Sequence, residues 1–394
     1  MAGPGGPQAG PAGTLSVLLS YGFRPFFLLA GLFAALAVPL WALALLRGVA
    51  IGPAGSALGW HAHEMVFGYV PAVLAGFLLT AVPNWTGRKP LGGAPLAALV
   101  LLWLLGRLAM LCPAGTALLR GLDCLFLVAF AGVVWHEILR GGNRRNVPVC
   151  ILVSLLALGN VLQHFGPDWG VAAGSGQRLG LGVVTLRLSL IGGRIIPAFT
   201  TNWMKSQGLA PPPTPFNRFD QAVLALTLLA ALAWLVAPLA APSGAALVIA
   251  GALHALRLAR WRGVRTFAEP LVTVLHVAYA WLPVALVLMG LAILAPATIG
   301  PTHALHALTA GGIALLTLAV MTRASLGHTG RALHAGPATV AVYGLVFLGA
   351  ALRLVLPFTA LPYAPAMAVA GATWSAGFLV FVLAYGPLLL RPRR

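Results

Sequence analysis

The sequence predicts an all-α integral membrane protein of about twelve transmembrane helices in one bundle, and three observations carry that reading. Of the 394 residues, 60% are hydrophobic and only 8% charged, with a mean hydropathy of +0.95, whereas a soluble domain averages roughly 25% charged residues. Apolar runs of about twenty residues, the length that crosses a bilayer core as a helix, recur along the whole chain. The basic residues fall singly or in small groups between those runs, as the positive-inside rule places them. The net charge of +18 is thus spread through loops, forms no patch for nucleic acid, and makes the lipid bilayer the expected surroundings.

Taken in order, residues 1–20 are expected to be a disordered N-terminal lead-in. Their first dozen are rich in Gly, Pro and Ala and lack the basic n-region of a signal peptide. Residues 21–394 are read as a single domain with spans near 26–46, 61–83, 92–111, 115–138, 147–165, 179–200, 220–240, 243–260, 267–294, 302–323, 336–357 and 364–390. Loops after even-numbered spans hold Arg88 and Lys89; Arg140, Arg144 and Arg145; Lys205 and Arg218; Arg260, Arg262 and Arg265; and Arg331, and the C-terminus adds Arg391, Arg393 and Arg394. Loops after odd-numbered spans hold few, chiefly Arg47 and Arg178, which puts both termini in the cytoplasm. Segment 201–219, with its Pro211-Pro212-Pro213 run, is the one long candidate linker. Pro39, Pro71 and Pro283 lie inside spans and are expected to kink them. The three cysteines, Cys112, Cys124 and Cys150, form no CxxC, so neither a disulfide framework nor a thiolate metal site is signalled.

Ionisable groups at membrane depth are expensive and mark function by default. In a chain with six acidic residues, Trp60-His61-Ala62-His63-Glu64 heads the second span. His303 and His306 head the tenth span, on the same side of the membrane, while His276 lies near the middle of the ninth. His254 falls in the inner half of the eighth span and His328 and His334 near the inner end of the tenth; His136 and His164 read as interfacial residues. A lone histidine in a bundle most often bonds a carbonyl on a neighbouring helix; two pairs at one depth point instead to a cofactor or metal. His61 and His63 are two apart, about 200° around a helix, so they face opposite ways and divide two centres rather than share one ion. His303 and His306, three apart, share a face. Glu64, three after His61, is expected on the His61 side as a ligand, a proton relay or a cap for the helix dipole. Small residues run below each pair: Gly68, Ala72, Ala75 and Gly76, and Ala307, Ala310, Gly311 and Ala314. Such stripes admit either a flat macrocycle or close helix packing. Imidazole suits both heme iron and copper. Arg24 and Arg194 are candidate anion or cofactor contacts, Arg24 with lipid as its other partner. Arg107 and Asp123, at similar depths, are expected to pair structurally, and no partner is legible for Arg187 or Arg353.

With these residues in view, the chain resembles the NnrS family of bacterial membrane proteins. The stretches that carry the resemblance run from Gly22-Phe23-Arg24-Pro25-Phe26-Phe27, through Trp60–Met65 and Gly76–Gly87, to Gly193-Arg194 through Asn202. They continue with Glu269-Pro270-Leu271, His276 with Tyr279-Ala280-Trp281, His303 with His306, and Met321 through Arg331. The resemblance implies a multi-pass protein of the bacterial inner (cytoplasmic) membrane, containing heme b and copper (or another non-heme metal) and tied to nitric oxide and nitrosative stress. The clustering of the two histidine pairs on one side makes His61, His63, His276, His303 and His306 the expected heme and metal ligands, with His328 a further one from the other face and Glu64 a catalytic proton relay. Reduction of nitric oxide to nitrous oxide is the leading expectation, fed by an electron donor, quinol or cytochrome, that the residues do not identify. A non-catalytic heme protein that binds nitric oxide and spares cellular iron is the alternative, and the bare span count leaves a transporter as a third.

Overall fold

A computed structural model describes residues 13–394 apart from Ala54. The expected lead-in falls largely on residues 1–12, outside the described part; of the rest, Thr14–Leu18 forms a short helix, α1. Among the described residues all regular structure is helical. Eleven helices are long and apolar enough to cross a membrane, and Gly93–Ala109 is a shorter apolar helix.

The long helices alternate in direction and close on themselves. The first is α2 (Phe23–Arg47). Next, α3 (Ala57–His63) passes through a π-helical turn, Glu64–Tyr69, into α4 (Val70–Thr86). Then come α5 (Gly93–Ala109), α6 (Ala117–Arg140), α7 (Val147–Phe165) and α8 (Ser175–Ser206). The second half holds α9 (Arg218–Val236), α10 (Ala241–Ala259) and α11 (Pro270–Leu294). There α12 (Pro301–His306) passes through a second π turn, Ala307–Ile313, into α13 (Ala314–His328), before α14 (Pro337–Val355) and α15 (Tyr363–Leu389). Consecutive helices mostly pack side by side, and α15 returns to pack against α2. The apolar core includes Phe26, Phe27, Phe126, Phe130, Phe378 and Phe381, all almost fully buried. Outward positions such as Leu36, Leu46, Leu118 and Leu383 are exposed apolar residues, the surface a lipid environment favours.

Arg24 joins the two chain ends. Buried at the start of α2, its guanidinium donates to the carbonyls of Leu389 and Arg391, each at 2.7 Å. Those carbonyls belong to the frayed end of α15, where intrahelical donors run out. The partners the structure gives Arg24, a residue expected to meet an anion or a lipid phosphate, are backbone oxygens. Arg24→Ala leaves them unpaired, a loss of about 1–3 kcal/mol. The C-terminal arginines are then expected to be clipped several-fold faster by trypsin in a timed digest; an unchanged rate would show that Arg24 does not hold this end.

The region read as a linker at 201–219 is shorter than expected, because α8 runs on to Ser206. Thr200 explains the extension: its hydroxyl bonds the Ile196 carbonyl and His276 on α11, both at 2.8 Å, which ties this end of α8 to its neighbour.

Neither π turn was legible in the sequence. Each begins directly after a histidine pair, at Glu64 and at Ala307. The first precedes Pro71, which lacks a backbone N–H and disturbs the i−4 ladder; the second contains Gly311-Gly312 against the Trp281 ring. A π turn loosens the backbone ladder, and in both an indole N–H supplies a donor. Trp103 donates to the Gly68 carbonyl at 2.9 Å and Trp374 to the Ala310 carbonyl at 3.1 Å.

Candidate functional site

His61 and His63 project to opposite sides of α3. On one side, the His61 ring lies 6.2 Å from the His306 ring, centroid to centroid, with planes 8° apart, and 4.5 Å from Trp41. Both histidines line a cavity of about 740 Å³, including its open mouth, a size typical of small-molecule and cofactor sites. Its wall carries Tyr69, Ala310, Ala314, Gly349, Ala370 and Gly371, with Arg353 at the edge. Buried His61 Nδ1 and Arg353 Nη1 have no hydrogen-bond partner among the described residues, whereas His306 Nδ1 is fixed by the Thr302 carbonyl at 2.7 Å. Two imidazoles facing one apolar space, with an unpaired guanidinium N–H at its border, is a donor set that fits a heme carrying acidic side groups.

The stripes of small residues divide between two uses. Ala310 and Ala314 open onto the cavity. Gly68 instead abuts the Arg107 guanidinium, Gly76 abuts the Phe27 ring and Gly311 abuts Trp281, so these glycines serve close packing.

On the other side of α3 lies a buried polar cluster. His63 Nδ1 meets Glu64 Oε1 at 3.0 Å, and His63 Nε2 lies 2.9 Å from Asn160 Oδ1 and 3.1 Å from Asp123 Oδ2. Asn160 Nδ2 donates to Asp123 Oδ2 at 2.9 Å, and His164 Nε2 reaches the same oxygen at 2.9 Å. Arg107 closes the network, donating to Glu64 Oε1 at 2.5 Å and to Asp123 Oδ1. Glu64 is fully buried and belongs here, not on the His61 side as its sequence spacing predicts. The buried Arg107 guanidinium, with the His63 ring beside it, draws the carboxylate this way.

A family model described as NnrS protein matches residues 17–393, nearly the whole chain. The chain belongs to the NnrS family. No curated protein matches it. Membership suggests a role in the response to nitric oxide and fits a multi-pass membrane protein.

Within this NnrS family member the remaining candidates do not gather at the His61 cavity. His276 sits in the second turn of α11, bonded to Thr200 and beside Gly263, about 27 Å along the helix from the end nearest His303. His328 packs on Tyr21 and Phe23, with ring centroids at 5.9 and 5.4 Å, at the opposite end of a helix from His306. Arg194 is exposed on α8, away from the His61 cavity's lining. His303 shares the His306 helix but packs on Phe358, and its buried Nδ1 has no partner among the described residues. His254 bonds Tyr279 at 2.8 Å and Thr227 at 2.9 Å, beside Arg257 and its partner Asp220, a network internal to the bundle. Arg187 donates to the Val149 carbonyl at 3.0 Å. Sequence reading passed over Asn160 and His164, which lie four apart on one face of α7; the i, i+4 spacing was visible, but an interfacial position hid its depth.

Proposed function

We propose that this NnrS family member is a twelve-span protein of the bacterial inner membrane, termini cytoplasmic, that holds heme b and copper and reduces nitric oxide to nitrous oxide. The observation that carries the reading is the cavity into which His61 and His306 project from facing helices, in a chain of this family. Counting α5 as a span keeps the alternation of the helices around it, and at 1.5 Å per residue it reaches about 25 Å, close to a bilayer core once its flanking turns are added.

His61 and His306 would hold the heme, and Arg353 would pair with one of its carboxylates. Bound there, a heme would supply a redox-active iron able to bind a diatomic and store an electron. The protein's own contribution is a dry pocket reached through apolar walls. A second cavity of about 620 Å³, bordered by Val73, Leu74, Ile191 and Leu316, shares Val70 and Ile313 with the first. It offers a lipid-side route for a small apolar gas. Between the two, the Tyr69 hydroxyl bonds Thr317 at 2.7 Å, which makes Tyr69 Oη one proton-bearing group on the wall of the space. Joining two nitric oxide molecules consumes two electrons and two protons and yields nitrous oxide and water; the electrons come from a quinol or a cytochrome.

Anaerobic incubation of purified, heme-loaded protein with nitric oxide and a reductant is expected to give nitrous oxide at one molecule per two consumed. Tight binding without product overturns the reductase reading in favour of a heme protein that sequesters nitric oxide.

A further inference from the structure

We propose that His63, Asp123 and His164 form a binding site for a divalent transition-metal ion, on the side of α3 opposite the His61 cavity. The three come from α3, α6 and α7, and their ligand atoms all lie within 4.8 Å of one another. His63 Nε2 and His164 Nε2 stand 3.1 and 2.9 Å from the same Asp123 Oδ2. Metal–ligand bonds of about 2.0–2.2 Å set neighbouring donors roughly 3–3.5 Å apart, so closing on an ion needs only small shifts. Asn160 Oδ1, 2.9 Å from His63 Nε2, stands ready as a further oxygen donor.

The surroundings are built as outer shells of metal sites are. A ligating histidine presents one nitrogen to the ion while a carboxylate orients it through the other; Glu64 Oε1 meets His63 Nδ1 at 3.0 Å. Arg107 then clamps Glu64 and Asp123 together. The pocket is closed: Glu64, Asp123 and Asn160 are at most 1% exposed, so the donors are enclosed away from bulk water. Two imidazoles and one carboxylate select copper, zinc or iron(II) over magnesium or calcium.

This site shares with the proposed function only the copper that the family implies, and it is tested without nitric oxide. The full chain, purified in detergent, is stripped with chelator, loaded with Cu²⁺ and desalted; retained copper is measured by mass spectrometry and its ligands by electron paramagnetic resonance. About one equivalent per chain, with hyperfine structure from two nitrogens, is expected. His164→Ala is expected to lower retained copper tenfold or more, while His164→Cys, which restores a ligand, retains it and so separates ligation from folding. His61→Ala keeps the copper. Wild-type protein that retains no copper, equal retention in His164→Ala, or loss in His61→Ala each overturns the site. If copper behaves as expected and no nitric oxide is reduced, the proposed function fails and this site stands.

Discussion

Substituting His61 or His306 by alanine is expected to remove the Soret band of the purified protein, with heme content falling about tenfold or more in each case. Both rings face the same cavity with nearly parallel planes, so losing either would leave one imidazole to hold a heme, and even losing a partner one step removed from a ligand typically weakens a bound metal 10–100-fold. The contrast with the other histidines makes the result informative. His276→Ala breaks a 2.8 Å bond to Thr200 and His328→Ala removes ring contacts with Tyr21 and Phe23, far from the cavity, so both are expected to keep the Soret band. Arg353→Ala is expected to leave an intermediate occupancy, because it removes an anion partner and no ligand. Full heme in His61→Ala, or its loss in His276→Ala alone, would return the heme to the other end of the bundle.

The sequence made the class of the molecule legible because membrane helices are set by length and hydropathy alone. Expected spans such as 147–165 and 267–294 differ from the helices Val147–Phe165 and Pro270–Leu294 by three residues or fewer. The opposed directions of His61 and His63 were also legible, since a two-residue step in a helix fixes them. What escaped depends on contacts between distant segments. Glu64 went to the wrong side because its carboxylate turns to Arg107 and His63, contacts that helical spacing does not report; the π turns escaped because their local signs, Pro71 and the Gly311-Gly312 pair, are common in membrane helices without one. His276 and His328 were kept with His303 as expected ligands although depth already put His328 at the inner end of its span; the structure moves His276 too, from mid-span to the second turn of α11, far from His303. His164 and Asn160 matter because of where α7 packs against α6, which no periodicity within α7 reveals. The Arg107–Asp123 pair was legible because both residues sit at one depth on neighbouring helices, and the structure adds Glu64 as the third member.

That third member sets the largest expected loss of stability. Arg107→Met keeps much of the side-chain volume but leaves Glu64 and Asp123, both essentially fully buried, without their guanidinium. Removing one partner of a buried pair costs about 3–5 kcal/mol, and here two carboxylates are orphaned within reach of a single histidine network. The apparent melting temperature in detergent, followed by size-exclusion or intrinsic fluorescence, is expected to fall by roughly 5–10 °C. Arg107→Met combined with Glu64→Gln removes one charge of each sign and is expected to recover at least half of that fall, because Asp123 keeps His63, His164 and Asn160 as donors. The recovery is a coupling between neighbours that a merely space-filling Arg107 would not produce: loss of packing against Phe33 and Trp103, whose rings lie 5.9 Å from the guanidinium carbon, is the same in the single and the double variant. Equal melting temperatures for the two would therefore assign Arg107 to packing, and a higher one for the double variant assigns it to holding two buried carboxylates beside His63.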